Sequence, residues 1–184
     1  MSSNRFYKKE VAKISSYFCA MSGKQLLRTI TGLIFLIGLL NSCTPLNLYE
    51  RSVTIPQHRW DSQFVPSFKC TIRDTSAAYD IALVLRHRDL YRYNNIWLQF
   101  TVIAPDQKVH QFDSELQLGT NETGWLGSGM DDVFEHRISL QKELVKNGIS
   151  FRQSGQYQFR IKQLMREDPL EYVMNVGIRI EKKR

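Results

Sequence analysis

The chain has 184 residues, and its 25 Lys and Arg outnumber its 18 Asp and Glu, which gives a formal net charge of +7 at pH 7. The excess lies in the first 42 residues, which contain six of the cations and one of the acids. From residue 43 onward the chain has 19 cations and 17 acids, a net charge of +2. This balance argues against a nucleic-acid-binding protein, and the remaining 142 residues suit one domain with its own core.

Residues 24–43, KQLLRTITGLIFLIGLLNSC, contain the parts of a secretory signal. Lys24 and Arg28 precede an apolar run over residues 30–40. Eleven helical residues reach about 17 Å, whereas the hydrocarbon core of a bilayer is about 30 Å thick. The pattern therefore predicts a cleaved signal peptide over residues 1–42, with Met21 as an alternative start, rather than a spanning helix.

The end of the apolar run, Leu40-Asn41-Ser42-Cys43, resembles the bacterial lipobox, although Asn41 is a less usual residue there. Small side chains permit cleavage before Cys43, and its thiol would accept a diacylglycerol and so carry fatty acyl chains such as palmitate. Each buried methylene adds about 0.8 kcal/mol of membrane affinity. We therefore expect a membrane anchor at Cys43, a tether with a first strand over residues 43–59, and a domain over residues 60–184. A buried helix that happens to end in cysteine is the alternative.

The other two cysteines, Cys19 and Cys70, indicate neither a disulfide nor a metal site. Cys19 would be removed with the signal, which leaves Cys70 without a partner for an internal disulfide, and no Cys/His metal spacing is present. Cys70, in FKCTI, is expected to be a small buried apolar residue of a strand.

The domain alternates between apolar and polar residues with period two, which is typical of half-buried strands. Turn chemistry separates these runs, and only residues 141–148, QKELVKNG, look locally helical. The pattern predicts an all-β fold, a single antiparallel β-sandwich that is jelly-roll-like. The predicted strands lie near residues 49–55, 67–72, 79–86, 95–105, 108–118, 133–140, 157–162 and 172–181.

Two segments are candidates for function. In GWLGSGM, residues 124–130, the glycines are expected to permit positive φ in a tight loop that packs Trp125 and Leu126. In LRHRDLYRYNN, residues 85–95, three arginines alternate with aromatic residues. Such groups suit a site for carboxylates, sugars or a partner's anchor residues, or they cover the core edge while the arginines are solvated or pair with Asp89. The residues of this possible partner or ligand surface are Arg86, Arg88, Tyr91, Arg92, Tyr93, Trp97 and Trp125.

Catalysis finds no support in the sequence. The four histidines, at positions 58, 87, 110 and 136, lie in different segments without metal-ligand spacing, and His136 is expected to be a satisfied histidine at the core edge. The acid pairs Asp131-Asp132 and Glu167-Asp168 lie in turn-like sequence, where solvated charge is the usual state. We therefore expect no enzyme activity, no metal and no cofactor.

Several motifs together resemble the GldH-type gliding-motility lipoproteins of Bacteroidota. They are Trp60 and Phe64, residues 85–87, Tyr91-x-Tyr93-x-Asn95, the Gly124–Gly129 run, Gly155-x-Tyr157-x-Phe159, Gln163-x-Met165-Arg166 and residues 176–178. The resemblance implies an outer-membrane lipoprotein of the gliding and type IX secretion apparatus, with envelope proteins as partners, and it implies no catalytic residues.

Two classes of function follow as expectations. The first is a non-catalytic assembly subunit, anchored by lipid at the periplasmic face of the outer membrane. The second is a carbohydrate-binding module on the cell envelope, which would need exposed rings among Trp60, Tyr91, Tyr93, Trp97 and Trp125.

Overall fold

The computed structural model describes residues 48–183, which form thirteen strands, a single turn of 3-10 helix at Pro56–His58 and one helix, α1 (Gln141–Lys146). The strands are β1 (Leu48–Thr54), β2 (Arg59–Trp60), β3 (Ser67–Ile72), β4 (Tyr79–Arg88), β5 (Asn95–Ile103), β6 (Val109–Gln117), β7 (Gly119–Thr120), β8 (Gly124–Trp125), β9 (Ser128–Met130), β10 (Val133–Ser139), β11 (Gly155–Gln163), β12 (Leu170–Glu171) and β13 (Val173–Lys182).

Two antiparallel sheets form a sandwich. The large sheet has the strand order β1-β13-β4-β10-β9, and the small sheet has the order β3-β11-β5-β6. When the eight long strands are numbered along the chain, these orders read 1-8-3-6 and 2-7-4-5. This interleaving of early and late strands in two packed sheets is the arrangement of a jelly roll. The predicted all-β sandwich is confirmed.

The core lies between the two sheets and follows from the alternation of each strand. In β3, for example, Phe68, Cys70 and Ile72 are buried while the residues between them are exposed. Burial raises the pKa of the Cys70 thiol to about 12, so the thiol stays protonated and inert at neutral pH. Cys70 is thus the buried apolar residue that its setting predicted.

The sandwich has two ends that differ in structure. The near end, where β1 begins, holds the connections over residues 73–78, 104–108 and 140–154. The far end holds the connections over residues 55–66, 89–94, 118–132 and 164–172. All five short strands, β2, β7, β8, β9 and β12, also lie at the far end. The short strands that are added to the eight long strands of the jelly roll are therefore all located at this end.

The predicted long strands and the helix are found close to their expected positions, whereas the short strands at the far end were not predicted. The first strand covers Leu48–Thr54 rather than residues 49–55, and it pairs along its whole length with β13. It belongs to the compact unit that begins at Asn47. The signal peptide and Cys43 lie outside the described residues and remain predictions. Between residues 48 and 183, no helix is long and apolar enough to cross a bilayer.

Candidate functional site

Residues 86–97 run from the end of β4, across the far end of the sandwich, into the start of β5. They contribute to two groups of aromatic side chains. The closed cluster consists of His87, Tyr91, Trp125, Phe134 and His136, whose rings contact one another inside the sandwich. The open groove is lined by Tyr93, Trp97, Leu164, Met165 and Arg166 on the surface. One segment therefore supplies both a buried site and an exposed one.

His87 is the centre of the closed cluster. Its ring centroid lies 4.4 Å from that of Trp125, 5.0 Å from that of His136 and 5.1 Å from that of Tyr91. The side chains of His87 and His136 reach these positions because both point inward from the paired strands β4 and β10. Both histidines are buried.

The hydrogen bonds of the histidine pair fix both tautomers. Nδ1 of His87 lies 2.8 Å from the carbonyl oxygen of Arg88, so this nitrogen donates. Nε2 of His87 must then accept, and it lies 2.9 Å from Nε2 of His136, which donates. Burial lowers the pKa of both groups, and the neighbouring His87 imidazole adds to the effect on His136, whose pKa is lowered to about 4. Both imidazoles are therefore neutral at pH 7, and His136 is the satisfied histidine that its alternation predicted.

Two further polar atoms of the closed cluster, on Trp125 and Tyr91, also find partners within the chain. The indole Nε1 of Trp125 donates to Oδ1 of Asp89 at 2.8 Å, and the phenol of Tyr91 donates to the Asn95 carbonyl at 3.0 Å. Burial raises the pKa of Tyr91 above its usual range. Because Tyr91 is almost completely buried, its ring is a core residue and is not available to a ligand.

The glycines of residues 124–130 serve the closed cluster in two ways. Gly124 has φ +74°, as expected for a turn, but Gly127 and Gly129 are needed for close approach. A Cβ on Gly127 would lie 2.6 Å from the Glu135 carbonyl oxygen and 2.9 Å from the His136 ring. The sequence prediction was wrong about Leu126, which is 56% exposed.

The three arginines of the candidate surface face acids. Arg86 pairs with Glu135 at 2.5 Å, Arg88 pairs with Asp132, and Nη1 of Arg92 lies 3.9 Å from Oε1 of Glu167. The Arg88 guanidinium lowers the pKa of the Asp132 carboxyl below its usual value. Asp89, the expected partner in sequence, binds Trp125 instead. These acids lie on strands and loops that are close in space but distant in sequence, so the sequence alone did not identify them as partners of the arginines.

The open groove forms where β5 begins and β11 ends. Trp97 is 42% exposed and Leu164 37% exposed, with Tyr93 and Met165 half-buried beside them. The cavity has a volume of about 390 Å³. Leu164 was not among the sequence candidates, and Met165 and Arg166 entered only through the family resemblance. All three follow β11, and only the pairing of β11 with β5 brings them to Trp97.

The aromatic residues proposed for sugar binding do not form one surface. Trp60 and Tyr91 are buried, and Trp125 is half-buried with its indole bound to Asp89. Trp97 is the exposed ring of the set. Among residues 48–183, no group of three or more His, Cys, Asp or Glu is placed to hold a metal ion.

Proteins of one family match this chain over nearly the whole length of the sandwich. A sequence model of the GldH lipoprotein family matches residues 47–180. The protein named gliding motility lipoprotein GldH homolog from Christiangramia forsetii is 31% identical over 156 residues, which cover 81% of this chain and 92% of that protein. Gliding motility lipoprotein GldH from Flavobacterium johnsoniae is 26% identical over 161 residues, which cover 83% and 96%.

Among solved structures, the VP2 subviral particle of infectious bursal disease virus aligns with 72% of this chain and 30% of its own, at 9% identity and a TM-score of 0.30. A similarity of that size supports no inference about function. The family match and the two relatives, by contrast, extend over nearly all of the sandwich. This chain belongs to the GldH lipoprotein family.

Proposed function

We propose that this protein is a lipoprotein anchored through Cys43, and that it acts as a non-catalytic assembly component of the gliding motility and type IX secretion machinery. The observation that carries the proposal is the family match over residues 47–180, which begins directly after the lipobox-like segment. Two relatives that match most of this chain are named gliding motility lipoproteins.

The chemistry of the sandwich supports a role in binding rather than catalysis. The histidine pair is buried and neutral, and the Cys70 thiol is buried and protonated. Arg86 and Arg88 are held by acids of the same chain. The open groove, in contrast, presents aromatic residues, Leu164, Met165 and Arg166 at the surface, and aromatic residues, Met and Arg are enriched where proteins bind one another.

The proposed location is the periplasmic face of the outer membrane. Thr44 follows Cys43, where an Asp would resemble an inner-membrane retention signal in many bacteria. Glu50 is the first acid after Cys43, so the acidic cluster that often accompanies display on the cell surface is missing from this stretch.

Fractionation of the natural host tests the anchor. Cys43→Ala should move the protein out of the membrane fraction or leave it uncleaved, while Cys70→Ala should leave its fractionation unchanged. Pull-down from detergent-solubilised envelopes should then recover gliding or secretion components with the wild-type protein. A Cys43→Ala protein that is cleaved and still found in the membrane fraction, or recovery of nothing above background, would contradict the proposal.

Carbohydrate binding is a second candidate, and the exposed ring of Trp97 is the observation that favours it. Titration with envelope glycans should quench the fluorescence of Trp97 if this candidate holds, and Trp97→Phe should remove that response. Fluorescence that does not change with any glycan would count against it.

A further inference from the structure

We propose that the open groove docks one segment of a neighbouring envelope protein, which places a bulky apolar side chain against Trp97 and an adjacent carboxylate beside Arg166. This inference rests on the proposed function and specifies the surface through which the protein would bind its partner. Three features support it: the exposed side chains, the hydrogen bonds that hold them in place, and their charge.

The exposed side chains have the composition of a binding hot spot. Trp97 and Leu164 together leave a large apolar area in water, and Tyr93, Met165 and Arg166 complete the groove. Trp, Tyr and Arg are the residue types that most often dominate the free energy of protein association. A cavity of about 390 Å³ has room for one large side chain of a partner.

Hydrogen bonds hold the floor of the groove in place. The Leu164 amide donates to the Trp97 carbonyl at 2.9 Å, and the Trp97 amide donates to Sδ of Met165 at 3.3 Å. The Met165 amide donates to Oε1 of Gln163, a buried side chain, at 2.7 Å. Because the groove is formed before a partner arrives, little conformational entropy would be lost on binding.

The charge of the groove indicates a carboxylate on the partner. Glu167 already accepts a hydrogen bond from the Tyr93 phenol at 3.1 Å and lies 3.9 Å from Arg92. Arg166 is exposed and forms no ion pair with any residue between 48 and 183. A guanidinium in this position matches the two oxygens of a carboxylate and binds them bidentately.

Site-specific photo-crosslinking in the native envelope tests the proposal. A photoreactive residue replaces Leu164 in the groove, and the matched control carries it at Val145, an exposed residue of α1 at the near end. We expect the Leu164 variant to label one segment of another envelope protein, with an apolar residue next to Asp or Glu in the labelled peptide. Labelling of a second copy of this chain, of lipid or of glycan, or equal labelling from Val145, would overturn the inference.

A charge swap tests the carboxylate directly. With a synthetic peptide of the labelled segment, Arg166→Glu should weaken binding at least tenfold, and a Lys in place of the peptide's acid should restore it. Lys69→Glu, on the exposed face of β3, should bind like wild type, and thermal unfolding checks that both variants are folded. Equal binding by Arg166→Glu would overturn the inference. A membrane-anchored protein that binds its partner elsewhere would leave the proposed function standing, whereas a missing anchor would remove it.

Discussion

The closed cluster and the open groove both take aromatic residues from one stretch of chain, residues 86–97, but one is buried and the other is exposed. In the closed cluster, the imidazoles, the Trp125 indole and the Tyr91 phenol all find hydrogen-bond partners within the domain. In the groove, Arg166 forms no ion pair with any residue from 48 to 183, and the Trp97 ring is exposed to water. The difference teaches that aromatic residues close together in sequence can be divided between a buried, internally hydrogen-bonded cluster and an exposed groove, and it is the groove that we propose as a binding surface.

Replacement of the two tryptophans should give the largest contrast between the regions. Trp125→Ala removes a half-buried ring packed on His87 and should lower the free energy of unfolding by about 3 kcal/mol. Trp97→Ala, at the exposed groove, should lower it by less than about 1 kcal/mol. Chemical denaturation of both variants measures this, and equal losses would mean that the two regions are not distinct in the way described.

Acid should weaken the closed cluster and thereby the whole domain. Burial lowers the pKa of His136 to about 4 in the folded protein, whereas a histidine of the unfolded chain keeps its ordinary value of about 6.5. The unfolded chain therefore takes up the proton first as the pH falls. The full stability is present above pH 6.5, and the free energy of unfolding decreases by roughly 2 to 3 kcal/mol as the pH falls from 6.5 toward 4.

Denaturant melts across this pH range measure the effect. The double variant His87→Leu/His136→Leu removes both titrating groups and should flatten the pH dependence between 6.5 and 4. A wild-type stability that does not change over that range would show that the pair is not buried and neutral.

A substitution at Gly127 tests how closely the segment before β9 approaches β10 and the histidine pair. Gly127→Ala places a methyl group 2.6 Å from the Glu135 carbonyl oxygen, and the backbone has to shift. We expect a loss of about 2 kcal/mol in the free energy of unfolding. Ser128→Ala, at the neighbouring exposed position, is the control and should be close to neutral. Equal stability of the two variants would be incompatible with the close approach.

The ion pairs of the arginines should give the smallest effect. Arg86 is exposed and pairs with Glu135 on the outer face of the large sheet, and such a pair contributes about 1 kcal/mol or less. Arg86→Ala should therefore shift the free energy of unfolding by no more than that, with the shift decreasing in high salt. A much larger loss would assign Arg86 to the support of the closed cluster.

The frame of the sandwich could be predicted from the sequence because each long strand carries its own period-two signal. The burial of Cys70 and His136 could be read from their alternation with apolar neighbours for the same reason. The groove could not be predicted, because Trp97 and Leu164 meet only through the pairing of β5 with β11, which joins distant parts of the chain. The His87–His136 bond likewise depends on the register of β4 and β10. Long-range register leaves no local signal in a single sequence.

The central proposal is that Cys43 carries the lipid that holds this domain at the membrane. Mass spectrometry of the N-terminal peptide of the protein purified from its natural host tests it most directly. We expect a chain that begins at Cys43 and carries fatty acyl groups. A chain that retains residues 1–42, or one that begins at an unmodified cysteine, would contradict it.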